Sequence, residues 1–490
     1  MDELANLSPR RRALLWLAVL SGLLLAMLDQ TIVGTALPRI VHELGGQSWY
    51  VWGITAYLVP ATVLLPVFAH LSDRYGRQRM LLTGMGLFVL GSALCASAQS
   101  MGQVTSFRGV QGAGAAALEA LSFLLVADLS GPRRNVMAQA MLAGIMAFSF
   151  IAGPLIGGFL TDHVGWRWVF SVNVPLGLLA IVVVARVLPA SLGRRPGRPA
   201  PLDVAGIAVM TASLGMVLVG LNQHLLVDSW FAARTGGLVV AGVMGLGLLV
   251  LVERRAAAPV LPLELLTQPL TMRLLLAGAS ATFGLYACVL LLPRYFQQAQ
   301  GVSATRSGLY IYPLLIGLLV AVNVGAAVIT RRNALRGTLL AANAIVAVGA
   351  LGFTVFGASS PAALPLILMA FIGAGVGPNL SGSQIGIQRT VAPMDLGPAM
   401  GALLLFRQLG GALALAAAET IYVGRLHAGD SAQTATGWSV FVVAATGALV
   451  AVLALISLRP GADRLPPLRA RTTVATDADT SQEAPMATTS

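Results

Sequence analysis

Asp29 lies inside an apolar run, Leu28-Asp29-Gln30-Thr31-Ile32-Val33-Gly34, about sixteen residues after Ala13. An ionised Asp at the centre of a membrane helix costs roughly 2.5–3.5 kcal/mol on insertion scales, so it persists where it faces a partner or a water-filled cavity. There it can carry a proton, anchor a cationic ligand or make a structural polar contact. Three further polar residues recur with helical spacing at Arg108, Gln111 and Glu119. Eleven residues separate Arg108 from Glu119; at about 100° and 1.5 Å per residue they share one stripe, roughly 16 Å long. Such a face is unsuited to lipid and is expected to line a central cavity. Arg108 is the candidate partner of Asp29. Glu119 has three readings: partner of an Arg, cation anchor or second proton site.

The elements that must position these residues follow from composition. The chain of 490 residues is 57% hydrophobic and 10% charged, with mean hydropathy +0.81. Soluble domains carry about 25% charged residues, and a membrane span needs about 20 predominantly apolar ones. Fourteen segments qualify, at 13–37, 49–71, 80–98, 104–127, 137–161, 168–188, 204–223, 235–252, 272–297, 307–329, 338–357, 363–387, 398–424 and 437–458. The first is too long for a signal-peptide core and is expected to stay as a helix.

All 31 basic residues are Arg, and Lys is absent. With the amino terminus in the cytoplasm, 23 of these Arg lie inside, against six at or near the outer face, namely Arg39, Arg167, Arg234, Arg294, Arg306 and Arg425. The positive-inside rule then places both termini in the cytoplasm. The net charge of +12 is therefore topology, not a nucleic-acid footprint. The two cysteines, Cys95 and Cys288, stand alone in apolar segments, and the five histidines lack ligand spacing, so neither a disulfide nor a metal site is expected. A membrane enzyme would want clustered His, Asp or Ser, or a phosphate-binding loop, and none is present. The chain has no Gly-rich Lys loop for ATP, so no cofactor is expected and energy must come from a gradient or a partner.

Several motifs carry a family resemblance. The loop Ala69-His70-Leu71-Ser72-Asp73-Arg74-Tyr75-Gly76-Arg77 resembles the cytoplasmic-loop signature of the major facilitator superfamily, with Ala69 where Gly is usual. Gly76 suits a tight turn, and Asp73, Arg74 and Arg77 can form contacts that latch one conformer. Arg108-Gly109-Val110-Gln111-Gly112-Ala113-Gly114 resembles the superfamily's fourth-helix motif, while Glu119 departs from the pattern. Gly153-Pro154-Leu155-Ile156-Gly157-Gly158 resembles the motif of its proton antiporters; Pro154 is expected to kink the helix and the glycines to let a neighbour approach. Trp166-Arg167-Trp168-Val169-Phe170-Ser171-Val172-Asn173 and the Asp29 string resemble the fourteen-span drug:proton branch, with Gly34 in place of an Asn. Trp166 and Trp168 are expected at the outer interface. Arg407-Gln408-Leu409-Gly410-Gly411, with Glu419 beyond it, resembles a further element of that branch.

The resemblance implies an all-α major facilitator fold, two six-helix bundles plus two extra central helices. The expected division is a cytoplasmic tail at 1–12, a bundle at 13–188, a linker at 189–203, two inserted helices at 204–252, a linker at 253–271, a bundle at 272–458 and a disordered tail at 459–490. It further implies a bacterial plasma-membrane antiporter that exports lipophilic cations by alternating access, driven by a proton gradient and sufficient as a monomer. Asp29, Arg108 and Glu119 are its proton-coupling candidates. Substrate candidates are Asp29, Gln30, Gln111, Glu119, Arg407 and Glu419. A dedicated exporter of one metabolite, antibiotic or lipid is the alternative, and a transport-like sensor a remoter one.

Overall fold

The computed structural model describes residues 9–46, 49–130, 135–189, 203–227, 236–256, 263–356, 360–361, 363–392 and 396–457. The expected tail at 459–490 and most of the linker at 189–203 lie outside them. Described elements are helices, as a bilayer demands of a chain whose backbone groups must be satisfied internally. The first group comprises α1 (Pro9–Leu44), α2 (Trp52–Val63), α3 (Leu65–Tyr75), α4 (Arg77–Ser97), α5 (Met101–Ser130), α6 (Asn135–His163), α7 (Arg167–Ser171) and α8 (Asn173–Val187). Next come α9 (Val204–Val227) and α10 (Leu238–Glu253). The last group comprises α11 (Leu263–Thr267), α12 (Pro269–Arg294), α13 (Ala304–Tyr310), α14 (Tyr312–Arg332), α15 (Leu335–Gly352), α16 (Leu364–Thr390), α17 (Leu396–His427) and α18 (Ala432–Ile456).

Among the described residues, eleven helical stretches are long and apolar enough to cross a membrane. The second expected span is broken: α2 and α3 meet at a 41° bend. Pro60 lies inside α2 and Pro66 in the first turn of α3, and each proline removes a backbone donor where the helix turns. Counting that pair as one gives twelve. The shorter apolar helices at Val204–Gly220 and Leu238–Glu253 stand where the two extra spans were expected. They pack on each other, and α9 also meets α2 and α17, with Met210, Leu214, Leu249, Val63 and Leu405 forming a small core.

Small residues set the close packing in the first group. A Cβ on Gly114 would stand 2.7 Å from Phe88 Cα in α4, and one on Gly112 2.9 Å from Tyr57 Cα in α2. Only glycine permits these approaches of α5. Between α3 and α4, Gly76 turns the chain at φ +96°, a conformation that carries a steric penalty for any residue with a side chain.

The main hydrophobic core runs through both groups, joining Ile32, Leu37 and Phe170 to Leu291, Phe296 and Phe353. A second core holds Leu274, Leu335, Leu339, Ile387 and Leu455, all from the last group. The groups also meet where α2 packs on α17, Val63 sharing the small core with Leu405.

Candidate functional site

Asp29 is fully buried at a junction of α1, α4, α5 and α8. Its Oδ2 is ion-paired with Arg108 Nη1. Its Oδ1 accepts from Gln111 Nε2 at 2.8 Å and from Asn173 Nδ2 at 2.8 Å. Arg108, 1% exposed, also donates to Gln111 Oε1 at 2.8 Å and to the Gly53 carbonyl at 3.2 Å. Its guanidinium carbon lies 4.2 Å from the centre of the Tyr57 ring. Gln111 Nε2 makes one more bond, to Ser92 Oγ at 2.8 Å. Both Asp29 oxygens are met, as a charge removed from water requires, while Asn173 Oδ1 has no hydrogen-bond partner.

Arg108 and Gln111 therefore turn inward on Asp29 rather than lining a cavity. Apolar surroundings favour these groups meeting one another, with the Gly53 carbonyl and Ser92 Oγ taking the donors that remain. Glu119 lies further along α5, fully buried, with Gln408 Nε2 of α17 donating to its Oε2 from 3.4 Å. Its Oε1 has no hydrogen-bond partner, and among the described residues no Arg forms an ion pair with it.

A partly open cavity lies beside the Asp29 junction, between α1, α6, α12 and α14. Gln30, Thr31, Pro154, Tyr286 and Val289 are among the residues that line it. Its wall is mostly apolar, with Gln30 Nε2 donating to Tyr286 Oη at 3.0 Å. Asp29 is thus held inside the first group while its neighbour Gln30 reaches into the last. Further out, Gln297 Nε2 donates to the Thr35 carbonyl at 2.9 Å. The Asp162 carboxylate at the end of α6 accepts from the backbone N–H groups of Ala304, at 3.1 Å, and Thr305, at 2.7 Å, capping α13 across the seam.

The Gly-Pro motif lies on that seam. α6 runs unbroken through Pro154 from Asn135 to His163. A Cβ on Gly157 would stand 3.0 Å from Ile32 Cα in α1, and Gly153 and Gly158 pack equally tightly on Thr31 and on Thr305. Its glycines fit α6 between α1 and α13.

The other candidates occupy separate places. Arg77 pairs with Asp73 at 2.9 Å and donates to Ser72 Oγ, so the described contact of Asp73 is within its own loop. Arg74 stacks over Tyr75 at 5.7 Å. Arg407, partly buried, donates to the Leu380 carbonyl and to Ser383 Oγ, within the last group. Glu419 is buried and bonded to Arg294 Nη1 at 2.8 Å, with Tyr50 and Tyr422 flanking that guanidinium at 4.5 and 4.6 Å. Arg294, expected near the outer face, is thus 7% exposed. Trp166, expected at the interface, is 1% exposed and donates to Glu43 Oε2 at 2.9 Å; Trp168 is exposed. Sequence reasoning missed Asn173 and Ser92 as partners in the Asp29 cluster. Asn173 carried a weak signal as the one amide in an apolar string; Ser92 carried none. No group of His, Cys, Asp and Glu among the described residues could hold a metal ion.

Residues 19–415 match the family model described as Major Facilitator Superfamily. An uncharacterized MFS-type transporter of Mycobacterium tuberculosis is 32% identical over 420 residues, which are 86% of this chain and 61% of that protein. The chain thus spans about three fifths of the length of that relative. The multidrug transporter protein MdtP of Bacillus subtilis is 30% identical over 397 residues, 80% of this chain and 73% of the relative. The crystal structure of the human organic anion transporter MFSD10 matches with a TM-score of 0.59 at 17% identity, covering 91% of this chain and 100% of that one; the likeness is one of fold.

Proposed function

We infer the function from one premise: the chain belongs to the Major Facilitator Superfamily. It is a multi-pass membrane protein and not an enzyme. We propose that it exports lipophilic, positively charged drugs or antibiotics across a plasma membrane in exchange for protons, with both termini in the cytoplasm. The names of its relatives, a multidrug transporter and an efflux pump, support export. The excess of Arg in one set of loops supports the orientation.

The observation that carries the reading is the Asp29 cluster. A carboxylate with an Arg and two amide donors converging on it, inside a membrane helix, is a charge whose loss alters every bond around it. Protonation of Asp29 removes the attraction for Arg108 and turns one acceptor oxygen into a donor. The change falls on α1, and α1 also carries Gln30 and Thr35, which bond to Tyr286 and Gln297 of the last group. A proton at residue 29 thus biases the seam that begins at residue 30, which is how a local charge event selects between two arrangements.

The test is counterflow in proteoliposomes, screened with cationic and neutral compounds. Exchange of labelled for unlabelled lipophilic cation supports the reading. Movement of one neutral natural product alone replaces the multidrug reading with a dedicated exporter. No exchange of any compound, with saturable binding retained, favours a sensor.

A further inference from the structure

One atom of the Asp29 cluster stands without a contact. Asn173 is 0% exposed and its Nδ2 donates to Asp29 Oδ1 at 2.8 Å, yet its own Oδ1 has no hydrogen-bond partner. Buried polar atoms are normally matched. A side-chain amide held at one end and idle at the other can turn over, exchanging NH2 for C=O, because the two ends have nearly the same shape. While Asp29 is ionised it accepts only, so the NH2 must face it.

Protonation reverses that demand, because the acid O–H needs an acceptor. Oδ2 faces Arg108, a side chain that only donates, so the proton belongs on Oδ1. Two amides meet Oδ1. Gln111 is held at both ends: its Oε1 accepts from Arg108 at 2.8 Å, and its Nε2 also donates to Ser92 Oγ at 2.8 Å. Asn173 is held at one. The ionisable side chains around the cluster are engaged elsewhere. Tyr57 of α2 donates to the Ala26 carbonyl at 3.1 Å, Cys95 of α4 lies 4.0 Å from Gln111 Oε1, and Tyr286 of α12 accepts from Gln30. Glu119, eleven residues beyond Arg108 on α5, meets Gln408. Helices α6 and α8 carry ionisable groups only at their ends, Asp162 and His163 on one and Arg186 on the other.

We propose that Asn173 is the positioning residue for the transported proton: it turns over when Asp29 is protonated, donating to the carboxylate in one state and accepting the acid O–H in the other. The proton comes from water, and one O–H bond forms at Oδ1. That hydroxyl oxygen still accepts from Gln111 Nε2, and Arg108 keeps its bond to Oδ2. After the turn the Asn173 NH2 occupies the place its oxygen held. One amide end is therefore unmatched in each state, and that count favours neither. The inference rests on Asp29 as the coupling residue, and its test separates the two.

The experiment takes infrared difference spectra between acid and neutral pH on the full chain in proteoliposomes. The carboxylic-acid carbonyl band present in the wild type and missing from D29N belongs to Asp29. In N173L, which has nearly the size of the wild-type side chain but neither amide end, that band is expected to shift to higher frequency, as for an acid whose O–H has lost its acceptor. N173Q, which keeps an amide, is expected to bring the band back towards the wild-type position. Wild-type protein isotope-labelled at the asparagine side-chain carbonyl is expected to show an amide band moving to lower frequency on acidification, a shift absent from D29N. That measurement needs no change at residue 173, so it decides the matter even where N173L fails to fold. An Asp29 band at the wild-type frequency in folded N173L, or no labelled amide shift in the wild type, overturns the proposal while Asp29 still takes up a proton. No Asp29 band at any pH overturns the coupling reading together with it.

Discussion

Replacing Asp29 by Asn tests whether the buried ion pair is held as the geometry indicates. Three donors converge on two oxygens, Arg108 on Oδ2 and Gln111 with Asn173 on Oδ1. An Asn offers one oxygen and one NH2, so its donor must face either the guanidinium or the two amides. Gln111 cannot simply turn over, because its Oε1 accepts from Arg108 and its Nε2 also serves Ser92. The guanidinium, 1% exposed, is left without a counter-charge. Removing one partner of a buried pair costs about 3–5 kcal/mol, and D29N is expected to fall in that range. Adding Arg108→Gln removes the orphaned charge, so the double variant is expected to recover about 2 kcal/mol or more of the loss. Unfolding of the purified protein in a fixed detergent, run as a double-mutant cycle, gives the coupling energy. A single-variant loss below about 1 kcal/mol, or a double variant no more stable than D29N, would refute the assignment of a compensated pair.

Other consequences follow from the same contacts. Glu419→Gln takes the counter-charge from Arg294 while keeping one acceptor oxygen, leaving the guanidinium that neutral contact, Gln298 and the two tyrosine faces, and is expected to cost about 3 kcal/mol in the same unfolding assay. A cysteine pair replacing Asp162 and Thr305, whose side chains and backbone meet across the seam, is expected to cross-link on oxidation and halt transport until reductant is added; unchanged transport with a formed cross-link would show that this seam does not open. Gly157→Val places methyl groups against Ile32 and Thr35 of α1. Its overpacking is expected to cost about 1–3 kcal/mol and to slow transport, read as a lower melting temperature and lower initial rate.

The sequence carried the fold because apolar length is an additive, local signal. It carried the Asp29 and Arg108 association because both are charges that a membrane helix tolerates only in company. Partners that depend on three-dimensional convergence were not legible. Ser92 is an ordinary small residue of α4, and Asn173 reads as the opening of a helix until α8 is brought against α1. Arg294 and Glu419 stand 125 positions apart, so their pairing has no local signal. Trp166 carries the sequence features of an interface anchor; its burial comes from contacts the sequence did not show, with Arg167 over its ring at 4.4 Å and Glu43 taking its N–H. The broken α2–α3 span was present as Pro60 and Pro66, but hydropathy averaged over a window does not register a bend. The cavity moved one residue along α1, from Asp29 to Gln30, because a full set of donors closed the carboxylate off.

The central claim, proton-driven export through Asp29, is tested most directly by an imposed pH gradient across proteoliposomes. With the lumen acidic, wild-type protein is expected to accumulate labelled lipophilic substrate, an ionophore that collapses the gradient to abolish the accumulation, and D29N to equilibrate without responding to the gradient. Accumulation by D29N equal to wild type, or accumulation that follows a sodium gradient and ignores pH, would contradict the account.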